Sequence, residues 1–469
     1  MNRLTRRAHV ALALSLAASG AGAQAPSTTA NTKVVTRQLA AATATSPEIL
    51  GSVAAMRELP NGNVLVNDQA RHKVLLLDKD LKLVSIVADS TSNTGNAYGV
   101  QAGGLLPFRG DSTLFVDPAS LSMLVIDPNG KIIRTMAAPR PNDIRFLTGG
   151  ALGNPGFDAN GRLVYRTLDF GFGRGGRGPQ PGQPFTMPTP PDSAALVRFD
   201  LTTRKLDTAG FFKLAKTYMN MTQDDNGRMN VSVQINPLPV VDDWAVMSDG
   251  TIAFIRGRDY HVDFVGANGV VTRGDKVAYD WQRMNDDDKQ AFLDSSKVAL
   301  EKARAAGPQA LAATAGGNGG DPLGGGNAMA QAFGFGGLGG GRGDGGIRVQ
   351  IGGGDGGGPG RGGPGGPGGG NGPQVALNMV PPSELPDYKP VFAQGAVRAD
   401  MDDRLWVRTI ATKVTTGGAI YEVLDRAGKL VDRVQIPAGR AIAGFGKGGV
   451  VYLGYRDADG IHIQKAVLK

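Results

Sequence analysis

The sequence predicts an all-β fold, a six-bladed β-propeller of four-stranded antiparallel blades, on three observations. From residue 51 onward one unit recurs, in which two pairs of short apolar strands are each joined by a tight turn containing Asn, Asp or Gly. The unit keeps an internal ruler, because Gly62 to Asp78, Asp111 to Asp127 and Gly250 to Gly266 are equally spaced without a gap. The last unit lacks its fourth strand, while the strand-like stretch 32–40 precedes the first complete unit and has nothing local to pair with. Four-stranded units repeated radially and closed by joining the chain ends make a propeller. A two-sheet sandwich with long loops would not explain the constant ruler.

The units follow in order. "LPNGNVLV" with "HKVLLLDKDLKLVSIV" forms the first, with apolar residues running as they do in strands buried on both faces. "GDSTLFV" with "MLVIDPNGKIIRTM" forms the second. "ANGRLVY" and "ALVRFDLTTRKLDTAG" form a third once 170–192 is set aside as a loop insertion. "SDGTIAFI" with "HVDFVGANGVVT", then "MDDRLWV" with "AIYEVLDRAGKLVDRVQI", form the fourth and fifth. The sixth runs from "AIAGFGKGGVVYLGY" to "GIHIQKAVLK", and 32–40 is assigned as its closing strand. Removing roughly 160 inserted residues from about 446 leaves about 47 per unit for six units, the size of a blade.

Residues 1–23 read as a signal peptide: Arg3, Arg6 and Arg7 precede an apolar run from Ala8 to Ala18 and a small-residue Ala21-Gly22-Ala23 site. That run is shorter than the ~20 residues a membrane span needs, so the expectation is a soluble protein of the periplasm or secreted, with 24–469 as one propeller domain. The chain has no cysteine, which excludes disulfide staples, thiolate chemistry and a cysteine lipid anchor. The formal net charge of +8 includes the three leader arginines, leaving a mild excess of about +5 and little electrostatic case for a polyanion partner.

Within each blade the strands run A to D outward from the channel, so the B–C and D–A connections share one face and the tight A–B and C–D turns share the other. The insertions at 170–192, 215–239 and 280–392 all fall in the first class and decorate one face. "GFGRGGRGPQPGQP" within the first of them has the letters of an RNA-binding box, but Gly, Pro and Gln there read as a solvated loop, and no nucleic-acid partner is expected. Residues 281–307 predict a helix, with Phe292, Leu293, Val298 and Leu300 as its apolar stripe and Asn285 or Asp286 as its N-cap. The Gly-rich tract 315–373 reads as disordered. Its matches to a G-x-G-x-x-G pattern lack the flanking strand and helix and carry no dinucleotide signal.

"LPNGNVLVNDQARHKVLLLDKDLK" resembles an NHL repeat, and the unit set resembles the TolB-like six-bladed propellers of exported bacterial proteins. "DDWAVMSDGTIAFIRGRDYHVDFVGANGVVTRG" is similar to a group of uncharacterised bacterial six-bladed propellers. The resemblance covers most of 51–280 and 392–469 and speaks for fold rather than function.

Propeller hydrolases of the gluconolactonase type hold a divalent cation in the channel with Glu, Asn and Asp at blade ends. This sequence offers Asn67, Asp68 and Asp117 after the second strands of two blades, but the comparable later positions are Arg166, Arg256, Arg408 and, loosely, Arg456. Such arginines either pair with neighbours such as Asp259 or Asp457, or receive an anion. His72, His261 and His462 fall on different blades, and His72 reads as structural; no nucleophile elbow or Ser-His-Asp set is evident. The expectation is an exported, non-catalytic, monomeric propeller that binds a protein, peptide or glycan partner through its decorated face. Arg166, Arg256, Arg408, Asn67, Asp68, Asp117, Asp259 and His261 are the candidate ligand-binding residues, with no metal or cofactor. The alternative is a metal-dependent lactonase or lyase with Ca in the channel.

Overall fold

A computed structural model describes residues 34–91, 95–101, 103–149, 153–167, 191–216, 218–223, 229–305, 348–351, 374–410 and 417–468. The signal peptide read over 1–23 lies outside the described residues, as do all but the last two residues of the 170–192 insertion.

The chain begins with two short strands, β1 (Thr36–Gln38) and β2 (Ala44–Thr45). Blade one is β3 (Val53–Glu58), β4 (Val64–Asp68), β5 (Lys73–Leu77) and β6 (Leu83–Ala88), and blade two is β7 (Gly104–Pro107), β8 (Thr113–Asp117), β9 (Ser122–Ile126) and β10 (Ile132–Ala137). Blade three is β11 (Gly156–Phe157), β12 (Leu163–Thr167), β13 (Ser193–Phe199) and β14 (Leu206–Lys213). After the hairpin β15 (Tyr218–Gln223) and β16 (Met229–Ile235) comes blade four: β17 (Asp243–Val246), β18 (Ile252–Arg256), β19 (His261–Val265) and β20 (Val271–Arg273). Helix α1 (Asp286–Ala305), β21 (Arg348–Ile351) and β22 (Gln374–Met379) precede blade five, which is β23 (Val397–Ala399), β24 (Leu405–Arg408), β25 (Ile420–Leu424) and β26 (Leu430–Gln435). Blade six holds β27 (Arg440–Phe445), β28 (Val450–Arg456) and β29 (Ile461–Val467), with β2 as its fourth strand.

Alternation along each strand explains the ring. In β4, Val64 and Val66 enter the apolar cluster shared with blade six, whereas Leu65, pointing the other way, enters the cluster shared with blade two. Leu114 and Leu163 join blades two and three, and Leu196 and Phe254 join three and four. Ile255 and Val407 join four and five, and Trp406 and Leu453 join five and six. Every wedge is filled by side chains from both flanking blades, so the circle of six cores closes. That is why these strands read as unbroken apolar runs.

The closing strand corrects the sequence reading. Ala44 and Thr45 pair antiparallel with Lys465 and Gln464, while β1, inside the predicted 32–40 segment, runs parallel to β26 as a fifth strand on blade five. A parallel strand cannot complete an antiparallel meander, and Leu39 is anchored in the wedge between blades five and six. The remaining residues up to Leu50 then reach the outer edge of blade six.

The two described D–A insertions pair with each other. β16 runs parallel to β22, which runs parallel to β21, and β15 completes a separate mixed sheet. The Gly-rich tract therefore contains a strand at 348–351, and its remainder is outside the described residues. Helix α1 starts later than residue 281, because the Met284 N–H donates to the Asp387 carbonyl in extended chain. Asn285 is the cap: its Oδ1 accepts the Asp288 amide at 2.8 Å, and the Asp288 carboxylate accepts the Asn285 amide at 3.0 Å. Leu293 and Leu300 are buried and Phe292 is partly so, but Val298 faces solvent. Among the described residues no helix is long and apolar enough to cross a membrane.

Candidate functional site

The B–C turns begin at the residues singled out in the sequence, and their polar groups are largely engaged. The Asp68 carboxylate, buried, accepts the amides of Gly51 at 2.9 Å and Ser52 at 3.0 Å and that of Arg71 at 3.3 Å, fastening the entry strand to the turn. Asn67 donates to the Gly103 carbonyl at 2.9 Å and accepts the Tyr98 hydroxyl at 2.9 Å, while the Tyr98 oxygen accepts the Gly103 amide at 3.0 Å. This closed network pins the D–A loop to blade one. Burial pushes the Tyr98 phenol up to about 12, so it stays a neutral donor. Asn67 and Asp68 are thus committed to architecture.

The arginines do not form the free cluster that their sequence positions suggested. Arg256 donates through Nε to Asp263 and through Nη1 to Asp242, at 2.8 and 2.9 Å, and also to the Phe211 carbonyl of blade three. Burial opposes its charge, but its hydrogen bonds to these two carboxylates outweigh it and raise the pKa. Its partners are Asp242 and Asp263, not Asp259. Asp259 instead meets the His261 Nδ1 at 2.7 Å and Arg273 at 3.2 Å, and the His261 Nε2 faces Asp263 at 3.2 Å. His261 is buried in this chain of charges on blade four. Arg408 ends β24 opposite Tyr421. Arg456 reaches back to the Gly51 carbonyl at 3.4 Å.

Arg166 is different. It is 2% exposed, its guanidinium lies 5.5 Å from the Phe146 ring, and among the described residues its Nε and Nη1 have no hydrogen-bond acceptor. Burial pushes its pKa down to about 10, with Arg145 acting in the same direction and Asp243 against it. Asp243 is fully enclosed, accepts the Trp244 and Val397 amides, and is pushed up to about 7 by desolvation.

Between blades one and two, on the face of the B–C and D–A connections, lies an open cleft of about 640 Å³. Ser90, Ser120, Ser122, Thr135, Asp117 and His72 place polar groups along it, and no Lys or Arg lines it. The Asp117 carboxylate accepts the Ala119 amide at 3.1 Å and the Ser120 hydroxyl at 2.5 Å, and Ser120 and Ser122 are 2.7 Å apart. The His72 Nδ1 is buried without a partner, and its ring stands edge-on to Tyr98 at 5.2 Å. One wall of the cleft is the loop held by Asn67 and Tyr98. Of the predicted residues, Asp117 lines this cleft and Asn67 supports it.

His72 is the residue that sequence reasoning assigned to structure alone. Its backbone is left-handed, φ +50°, and so are Leu121 at +54° and Tyr260 at +43° in the matching turns of blades two and four. The turn thus repeats and the side chain does not, a difference visible once the three turns are aligned. Among the described residues no three His, Asp or Glu side chains gather so as to hold a metal ion.

No family model matches this sequence, and neither does any curated protein. Among solved structures, a candidate exported protein of Bacteroides fragilis aligns at 9% identity, covering 93% of this chain and 95% of its own, with a TM-score of 0.40. A gluconolactonase of Xanthomonas campestris aligns at 8% identity over 92% and 99%, with a TM-score of 0.34. A virginiamycin B lyase of Staphylococcus aureus aligns at 10% identity over 48% and 71%, with a TM-score of 0.24. At these identities and scores the likenesses carry no argument about activity. The six-bladed propeller rests on the strand order and the closed circle of wedges.

Proposed function

We propose that this protein is an exported binding propeller that takes a glycan, through an uncharged saccharide unit, in the cleft between blades one and two. The observation that carries this reading is the polar lining: four hydroxyls and one carboxylate, with no Lys or Arg among the lining residues. Saccharide hydroxyls both donate and accept, which suits the Ser and Thr hydroxyls and the remaining lone pairs of Asp117. An anionic partner would meet Asp117 with no counter-charge beside it. The volume lies within the usual range of ligand clefts, about 300–1,000 Å³, and a wall fixed by the Asn67–Tyr98 network lowers the ordering cost of binding. Export is supported by the composition of residues 1–23.

The test is titration of the purified protein with neutral disaccharides, cellobiose, maltose and chitobiose, followed by ligand-observed NMR. At least one should bind saturably, and His72→Ala and Asp117→Asn should each weaken it by about tenfold while the melting curve stays cooperative. Absence of binding by all three, or binding indifferent to both substitutions, would sink the reading.

A further inference from the structure

The opposite end of the channel has different chemistry. On the tight-turn face each joint between blades carries a polar clasp. Arg57 of blade one donates to the Ser112 carbonyl and to the Thr113 hydroxyl of blade two. Arg109 of blade two donates to the Gly161 carbonyl of blade three at 3.2 Å, and Arg162 of blade three to the Ala267 carbonyl of blade four at 2.7 Å. Arg426 of blade five meets Asp249 of blade four at 3.1 Å. Arg398 of blade five donates to the Ile442 carbonyl of blade six at 2.8 Å, and Glu58 of blade one receives the Tyr452 hydroxyl of blade six.

Arg57, Arg109 and Arg398 of this ring also line a cavity of about 530 Å³, walled by the ends of the first strands of all six blades. Each spends only one terminal nitrogen on its clasp, and that on uncharged oxygens. Among the described residues none of the three makes an ion pair, and each lines the cavity. The carboxylates at its wall are already committed. Asp158 is held by Arg162 and Arg198, Asp400 by Arg404 and the Trp406 indole, and Asp249 by Arg426. Apolar surface from Phe108, Phe157 and Phe445 fills the space between the cations.

We infer that the tight-turn end of the channel is a second binding site, for an organic oxyanion carried on an apolar body, of which an aromatic carboxylate is the simplest form. A guanidinium presents a rigid fork of donors that matches a carboxylate, and here the blades have already fixed one prong of three such forks. The six strand ends hold the site without any rearrangement. Burial also pushes the Arg57 pKa down to about 10, with only Asp111 opposing it, and a bound anion would offset that desolvation. This site is independent of the saccharide cleft: it lies on the other face and has the opposite charge.

Titration of the full-length protein with benzoate, with benzylamine as the cationic isostere and benzyl alcohol as the neutral one, tests the inference by calorimetry and by thermal shift. Benzoate should bind saturably and the other two should not, and affinity should fall as salt screens the attraction. Arg57→Met with Arg398→Met should weaken benzoate by about tenfold or more. Because all three arginines also clasp blades, Arg109→Met, whose side chain is exposed and whose clasp is a single bond of 3.2 Å, gives a second reading and should weaken benzoate severalfold with the fold intact. No saturable benzoate binding, equal binding of benzylamine, or unchanged affinity in Arg109→Met would overturn the assignment.

Discussion

Leu50 and Ile461 exchange both of their backbone hydrogen bonds, at 2.8 and 3.0 Å, and so tie the entry of blade one to the last strand of blade six. Leu50 is also buried in the wedge between these blades, which makes the joint both polar and apolar. Ahead of it, the Ser46 amide donates to the Ile463 carbonyl at 2.8 Å and the Thr43 amide to the Lys465 carbonyl at 2.7 Å.

The first prediction concerns this seam. Ser46→Pro removes a buried donor and leaves the Ile463 carbonyl unpaired, at about 1–3 kcal/mol. Scanning calorimetry should show a clear drop in melting temperature with an exposed edge prone to association. Val35→Pro, beside the parallel strand of blade five, should change little. Equal effects from both substitutions would mean that the closure is not where the register places it.

The second concerns a buried carboxylate between blades four and five. Glu422 of blade five accepts the Tyr260 hydroxyl of blade four at 2.8 Å and Arg433 at 2.8 and 2.9 Å. Removing the cation while keeping the buried charge is the more costly change, so Arg433→Met should destabilise by about 3 kcal/mol. Tyr260→Phe should cost about 1–2 kcal/mol, since it deletes a neutral donor. Urea midpoints with constant slope measure both, and the reverse order would contradict the arrangement.

The third is a pH dependence. Burial raises Asp243 from 3.8 to about 7, so the folded protein keeps a proton that the unfolded chain releases. Folded protein then binds more protons than unfolded between about pH 4 and 7, and stability from this group falls as pH rises through that window and levels off above it. Asp243→Asn should lower stability at all pH values, because hydrogen bonds to the Val397 and Trp244 amides are disturbed, yet flatten the slope. Urea midpoints at several pH values decide it, and an unchanged slope would assign the dependence to other groups.

Much of the ring was legible because it is written in short-range patterns. Asp78 shows how: its Oδ1 accepts the amides of Asp80 and Lys82, both at 2.9 Å, and Asp127 and Asp425 repeat this with the residues two and four ahead. An Asp followed by a turn residue and a basic residue is thus a hairpin signal that needs no tertiary information. The candidate sites were less legible. Asp117 stands at the wall of the cleft between blades one and two, but the arginines were placed by strand position alone, and position does not say which carboxylate a long side chain will reach. Arg256 found Asp242 and Asp263, while Arg57, Arg109 and Arg398, which line the channel cavity, belong to turns and first strands that carried no motif.

The sequence by itself determined the strands, their turns and the two-sided burial that makes six wedges, because alternation and turn chemistry act within a few residues. Tertiary structure decided which N-terminal strand closes blade six, that the two insertions around blade four pair with each other, and which polar groups stay open. Those choices join residues distant in the chain, where the entropy of loop closure varies too slowly with length to favour one partner over another. Register, burial and the supply of counter-charges make the selection instead, and they exist only once the blades stand side by side.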